Sequence, residues 1–317
     1  MKLLNEIINK YGNYLFLILG AIIGFLFPYL YQRIFSKNKY SVAYNIGVIG
    51  YPQSGKTTFI TSLFAHLFSL KILGNNYRLL LRGKETIEKV NDDLERLTIG
   101  KSLGPTTDQD LFSYRIDLTK RKFPFDENYK IQIGDFPGED SEEFYDKYND
   151  WLHSTPYFKW VMDADVFIFV IDVARVLSDT DNSLYKNKIT KAIRAAWQKL
   201  EEYHFEGRSK LSNKPVILLF TKADLLLHYD KFQYRYNTPT IQKKVFELGF
   251  GDELPAIIKL NEDIEKFTNN IKGEYKEIID FLQTRNKNTK VIFFSHFVTV
   301  DEQRLGMEEI VTSILPE

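Results

Sequence analysis

The 317-residue chain contains no cysteine, which excludes disulfides and removes the thiolates on which most structural zinc sites are built. This suits a reducing compartment. It also lacks net charge: 42 basic residues balance 42 acidic ones, leaving no electrostatic footprint for DNA or RNA, and no nucleic-acid partner is expected. The five histidines, His66, His153, His204, His228 and His296, are scattered without metal-ligand spacing. No internal repeat or low-complexity tract interrupts the chain. What remains is an ordinary globular composition, 44% hydrophobic and 26% charged, enough to bury one large core or two small ones.

One long apolar run stands out at the start. Tyr14 to Tyr31, "YLFLILGAIIGFLFPYLY", is an uncharged run of about 18 residues, long enough to cross most of a bilayer core as a helix. Aromatic residues sit at both ends, as in interfacial belts, and Pro28 falls near the far end, where a kink does little damage. No small-residue cleavage site follows, unlike a secretory signal. Residues 1–12 are thus expected to be a short N-terminal segment, 13–35 a single transmembrane helix and 36–42 a juxtamembrane linker. Arg33, Lys37 and Lys39 follow the span, while Lys2 and Lys10 share the other side with Glu6. This modest bias places the large C-terminal part in the cytoplasm.

From residue 43 to 317, short apolar runs alternate with segments of helical period, predicting an α/β domain of three layers with a mostly parallel sheet. The predicted strands are 43–50, 112–118, 129–135, 165–172, 215–221 and 290–295. Ile189, Ile193, Ala196, Trp197 and Leu200 recur at helical spacing, as do Leu260, Ile264, Phe267, Ile271, Tyr275, Ile278 and Leu282. Both stripes are expected to pack on the sheet, and a last helix is expected over Gln303 to Leu315. Two insertions, near 74–104 with "YRLLL" and a charged helix, and near 225–256, exceed a minimal alternation. The basic cluster "LTKRKF", Leu118 to Phe123, reads as a hairpin end that also faces anionic headgroups if a tether holds the domain close.

The chemistry concentrates in three short motifs. "GYPQSGKT" carries Gly50, Gly55, Lys56 and Thr57 in P-loop spacing, directly after a strand and opening a helix from Lys56 to Leu70. Its glycines let successive N–H groups of Gln53, Ser54 and Gly55 face a phosphate chain, and the helix N-terminus, with Thr58 in its first turn, adds partial positive charge. Lys56 is expected at the β- and γ-phosphates, and Thr57 as a Mg²⁺ ligand. Pro52 removes one donor and stiffens the loop.

"IQIGDFPGED" ends a strand at Asp135, positioned to hold magnesium or its water, and Gly138 offers an N–H toward a γ-phosphate. "PVILLFTKAD" sets Thr221, Lys222 and Asp224 at the end of a buried strand. A carboxylate at Asp224 accepts two hydrogen bonds from guanine that adenine cannot offer. Lys222 can lay its stem along the base. ATP would be the reading only if Asp224 faced solvent. The N–H groups of Ser295 and His296, at the next strand end, are candidates for the guanine carbonyl.

In order and spacing, "GYPQSGKT", "DFPG" and "TKAD" resemble the motifs of the Ras-like, translation-factor-type superclass of P-loop GTPases. Within it, the insertion before the switch, the "DFPGED" wording and "DADVFIFVID" resemble bacterial double-GTPases and GTPase-associated conflict-system proteins. A membrane-anchored GTPase is also similar to the signal recognition particle receptor β subunit. The resemblance implies a small-GTPase-like fold binding GTP or GDP with Mg²⁺, hydrolysing GTP slowly as a switch, and working with an effector or GTPase-activating protein or as a nucleotide-dependent dimer. It also implies a switch threonine that senses the γ-phosphate through the metal: Thr106 in "LGPTTDQD", with Thr107 as the alternative. Glu139 stands where many members have a water-orienting glutamine, and Thr221 where asparagine is usual. Glu139 and the Pro52-stiffened loop keep a second reading open, a GTP-dependent receptor or scaffold with negligible hydrolysis. Arg82 and Arg96 are candidates for a charge-stabilising arginine in cis, or solvated helix residues.

Overall fold

The computed structural model describes residues 41–51, 53–68, 77–98, 112–121, 126–135, 160–176, 182–204, 211–223, 268–296, 299–300 and 303–316, together with Gly20, Gly24 and Leu103. Among them a seven-stranded sheet forms from β1 (Val42–Gly50), β2 (Tyr77–Leu81), β3 (Phe112–Lys120), β4 (Glu127–Asp135), β5 (Val166–Asp172), β6 (Val216–Thr221) and β7 (Thr289–Phe293), in the order β2-β3-β4-β1-β5-β6-β7. The pairs β4–β1, β1–β5, β5–β6 and β6–β7 are parallel, while β2 and β3 add an antiparallel margin. The predicted mostly parallel α/β sheet is therefore present.

The strands are buried on both faces because their alternate residues feed two different cores. Phe167, Phe169 and Ile171 of β5 join Leu218 and Phe220 of β6 on one face. There they meet Ile189, Ile193, Ala196, Trp197 and Leu200 of α4 (Asn182–Tyr203), reached through the short turn α3 (Val173–Val176). Ile278 and Leu282 of α5 (Lys276–Arg285) complete that layer. Val166, Ile168 and Val170 point the other way, toward Phe59, Ile60, Leu63 and Phe64 of α1 (Lys56–Phe68) and Met307, Ile310 and Ile314 of α6 (Met307–Ile314). This two-faced burial makes a three-layer sandwich and explains the near-continuous apolar reading of β5 and β6.

The first insertion is structured as predicted from "YRLLL" and the charged segment after it. β2 extends the sheet edge, and α2 (Lys84–Thr98) turns Val90 into the α1 core. β3 and β4 pair antiparallel from Phe112↔Asp135 to Lys120↔Glu127, which places Lys120 of the basic cluster at the end of that pairing; Lys122 and Phe123 lie outside the described residues.

The last helix differs from expectation. Gln303–Arg304 is a strand, β9, paired with β8 (Thr299–Val300), and the helix begins only at Met307. Gly306 causes this: its φ is 74°, and a Cβ there would lie 2.2 Å from the Phe293 carbonyl oxygen, so the chain reverses before helix can start. β7 also ends at Phe293 rather than 295. Leu70, the stripe residues Leu260, Ile264 and Phe267, the 225–256 insertion and the 13–35 span, apart from Gly20 and Gly24, lie outside the described residues. Among the described residues, no helix is long and apolar enough to cross a membrane.

Candidate nucleotide site

The C-terminal ends of the parallel strands line one edge of the sheet, where open α/β folds bind ligands. At the first of these ends, Gly50 closes β1 against β5. A Cβ there would lie 2.8 Å from Val170 Cβ and 2.9 Å from Ser54 Oγ, so hydrogen alone fits. The chain then curls through left-handed residues at Gln53 (φ 60°) and Gly55 (φ 86°) and enters α1, where the Phe59 N–H donates to Gly55 O at 2.9 Å. No acidic residue occupies the first turn of α1, although that position commonly carries one. The positive end of the helix is therefore kept for an anion. Lys56 is buried, and its Nζ donates to the carbonyls of Gly50 (2.9 Å) and Tyr51 (3.0 Å), arching over the loop it belongs to.

Asp135 ends β4 beside this loop, only 1% exposed, and neither carboxylate oxygen has a hydrogen-bond partner of good geometry. Burial pushes its pKa up to about 6, against the pull of the nearby Thr57 hydroxyl and the Lys56 and Lys89 ammonium groups. A carboxylate so placed is costly unless a cation completes it. Hard oxygen donors from one carboxylate, one threonine hydroxyl and phosphates suit magnesium, which keeps several waters and needs no all-protein cage. Among the described residues, no three His, Cys, Asp or Glu side chains gather as an alternative metal group.

The end of β6 is tied directly to the phosphate loop. Thr221 Oγ1 donates to Ser54 O at 2.6 Å, with Ile171 O at 3.3 Å. Lys222, in a left-handed conformation (φ 58°), donates from Nζ to Gln53 O at 2.9 Å and pairs with Asp172 Oδ2 at 2.8 Å. The other oxygen of Asp172 accepts the Ala174 N–H at 2.9 Å. The Ala223 N–H donates to Phe294 O at 3.1 Å, bringing the strand ends of "TKAD" and "FFSHF" together.

Ser295 is fully buried there. His296 turns its ring onto α1, where Nδ1 lies 2.6 Å from Ser62 Oγ. The single Ser62 hydroxyl proton goes to Thr58 O at 2.6 Å, so His296 Nδ1 is the donor in that contact. Burial, with the Arg304 charge, lowers the His296 pKa to about 4.

Gly50, Gln53, Ser54, Gly55, Lys56, Thr57, Thr58, Asp135, Thr221, Lys222, Ser295 and His296 thus belong to one edge of the fold, or to the first turn of α1 that opens from it. Pro52, Thr106, Thr107, Gly138, Glu139 and Asp224 lie outside the described residues. Of the two arginine candidates, Arg82 is paired with Asp117 on β3 and Arg96 is exposed on the last turn of α2. Sequence reasoning missed Asp172. Its signal was a lone carboxylate closing the all-apolar run "VFIFVID", just as Asp135 closes its own strand.

A family model for Double-GTPase 2 matches residues 45–253, most of the chain. The chain belongs to the Double-GTPase 2 family. This agrees with the motif resemblance and makes it a GTP-binding protein of a GTPase family. No curated protein matches the chain. Solved structures similar to this Double-GTPase 2 chain include Methanosarcina barkeri Roco2 RocCORdC bound to GDP, at 12% identity and a TM-score of 0.30, covering 85% of this chain and 47% of that one. The S. cerevisiae Ski7 GTPase-like domain bound to GTP matches at 15% identity and a TM-score of 0.35, covering 81% and 43%. The chain therefore spans less than half the length of these structures.

Proposed function

We propose that this chain is a membrane-anchored GTPase switch that binds GTP with Mg²⁺ at the sheet edge and hydrolyses it to GDP. The observation that carries the reading is the buried carboxylate of Asp135, which lacks a hydrogen bond of good geometry and faces the Thr57 hydroxyl and the Lys56 ammonium of the phosphate loop. Thr57 and Asp135 would hold magnesium, joined by Thr106, or Thr107 in its stead. When bound, magnesium would neutralise phosphate charge. Lys56 would swing from the loop carbonyls to the β- and γ-phosphates. The Gly138 N–H would meet the γ-phosphate, and Glu139 would orient water in line. Asp224 would select guanine, with Lys222 bracing the loop beneath it and Ser295 and His296 at the guanine carbonyl. The loops near 100–110 and 136–145 would order with GTP and relax after hydrolysis.

The uncharged run within residues 13–35 supports a single-pass anchor with the GTPase domain in the cytoplasm. Slow intrinsic turnover implies a partner that sets the rate: an effector, a GTPase-activating protein or a second copy in a nucleotide-dependent dimer. Glu139 favours one rival, a GTP-dependent receptor with negligible hydrolysis, because a carboxylate brings like charge to the polyphosphate.

Two measurements test these readings. Affinities for GTP, GDP and ATP, with and without Mg²⁺, should show guanine preference and magnesium dependence, both weakened by Asp224→Ala and Asp135→Ala respectively. Equal ATP binding would overturn the assignment. Single-turnover hydrolysis separates switch from receptor: turnover raised by membrane extract supports the former, and none under any condition supports the latter.

A further inference from the structure

Helix α2 lies in the insertion between the phosphate helix and β3, yet its buried stripe reaches toward the metal carboxylate. That stripe is Thr86, Val90, Asp93 and Leu97. Three of the four are expected in such a stripe; a carboxylate only 6% exposed is not. Asp93 Oδ2 lies 3.5 Å from the Tyr114 hydroxyl and 3.5 Å from Lys89 Nζ. The Tyr114 contact sits at the outer limit of hydrogen-bond geometry, and the Lys89 partner is itself about a third exposed, so Asp93 is buried with one weak hydrogen bond and one ion pair that opens to solvent.

The sheet register shows what lies on the other side of Tyr114. Tyr114 pairs with Ile133 on β4, two residues before Asp135, and alternate residues share a face. Tyr114 and Asp135 are therefore diagonal neighbours on the face covered by α1, where the Tyr114 ring packs 4.9 Å from Phe64. Asp93 approaches that pair from α2. The electrostatics agree: burial and then the charges of Asp135 and Asp93 raise the Tyr114 pKa well above the ordinary phenol range, while Asp93 raises and Lys89 lowers that of Asp135.

We propose that Asp93 is a positioning residue for the magnesium site, a second carboxylate set behind Asp135 by the insertion helix to deepen the negative potential that holds the dication. Lys89, one turn earlier on α2, opposes it, so the insertion sets the metal affinity. Without metal, two buried carboxylates repel; a divalent cation relieves that repulsion, and the relief adds to binding. This inference rests on the reading of Asp135 as the magnesium carboxylate.

The test is magnesium-dependent retention of a fluorescent GDP by the full chain, titrated with Mg²⁺ in EDTA buffers. Asp93→Asn should raise the half-saturating Mg²⁺ about tenfold, the scale of outer-shell effects on metal sites. Affinity at saturating Mg²⁺ should stay close to the unaltered protein's. Lys89→Met should shift the midpoint the opposite way, an outcome that a merely structural role for the helix does not produce and that remains readable if Asp93→Asn folds poorly. Asp135→Asn should abolish the dependence. Unchanged midpoints in Asp93→Asn and Lys89→Met, with the dependence lost in Asp135→Asn, would overturn the proposal alone. Retained dependence in Asp135→Asn would overturn both it and the magnesium reading.

Discussion

Lys222 Nζ pairs with Asp172 Oδ2 at 2.8 Å across two neighbouring strand ends and reaches Gln53 O at 2.9 Å, latching the end of β6 to the phosphate loop. Asp172 is wholly buried, so its partner cannot be removed without leaving an uncompensated charge. Lys222→Met should destabilise the nucleotide-free protein by about 3 kcal/mol in urea unfolding. The double variant Lys222→Met, Asp172→Asn should recover much of that loss; strictly additive losses would show that the pair is not coupled.

Thr221 makes the second tie between the same loops. Thr221→Val keeps the shape but removes the hydroxyl that donates to Ser54 O at 2.6 Å. The expected cost is about 1–2 kcal/mol of GDP affinity by calorimetry, roughly a tenfold loss. Affinity unchanged within twofold would mean that the loop holds its shape without this bond.

Asp135 predicts a conflict between stability and function. Its pKa of about 6 lies above the ordinary carboxylate value of 3.8. In metal-free protein the folded state keeps a proton that the unfolded chain releases, so stability falls as pH rises through about 4 to 6. Asp135→Asn should therefore stabilise the metal-free protein at pH 7 by on the order of 1–3 kcal/mol and flatten that slope. A lower melting temperature for the variant at pH 7 would contradict the account.

His66 and His296 act in the opposite direction. Burial, with the Arg304 charge, holds both pKa values near 4, below the ordinary 6.5. Both rings stay neutral in the fold, and the stability they contribute above pH 6.5 is lost as pH falls toward 4. Melting temperature should drop across that window, and His296→Asn should shallow the drop; an identical profile for the variant would exclude the His296 contribution.

The legible parts of this fold are those written locally. Strands such as "VFIFVID" are apolar on both faces, and the phosphate loop is a contiguous motif whose glycines have steric reasons. Relationships across the fold were not legible. Nothing near Lys222 in the chain announces that it turns back to Asp172, 50 positions earlier, because that pairing exists only once β5 and β6 lie side by side. Asp93 reads as one more charge on a charged helix until the packing shows which face is inward. Gln303 and Arg304 continue a helical pattern, and only their pairing with Thr299 and Val300, followed by the left-handed Gly306, marks them as a strand.

The position of α6 governs the order in which the site can be assembled. Its Met307, Ile310 and Ile314 complete the apolar layer that also holds α1, and Lys120 Nζ donates to Pro316 O at 3.2 Å, fastening the final turn to β3. The helix that presents the phosphate loop is synthesised well before α6, and it gains that packing partner only once residues 307–314 have left the ribosome. Nascent chains halted near residue 290 would carry the phosphate loop, Asp135 and the Thr221–Lys222 strand end, and still lack the α6 layer that braces α1.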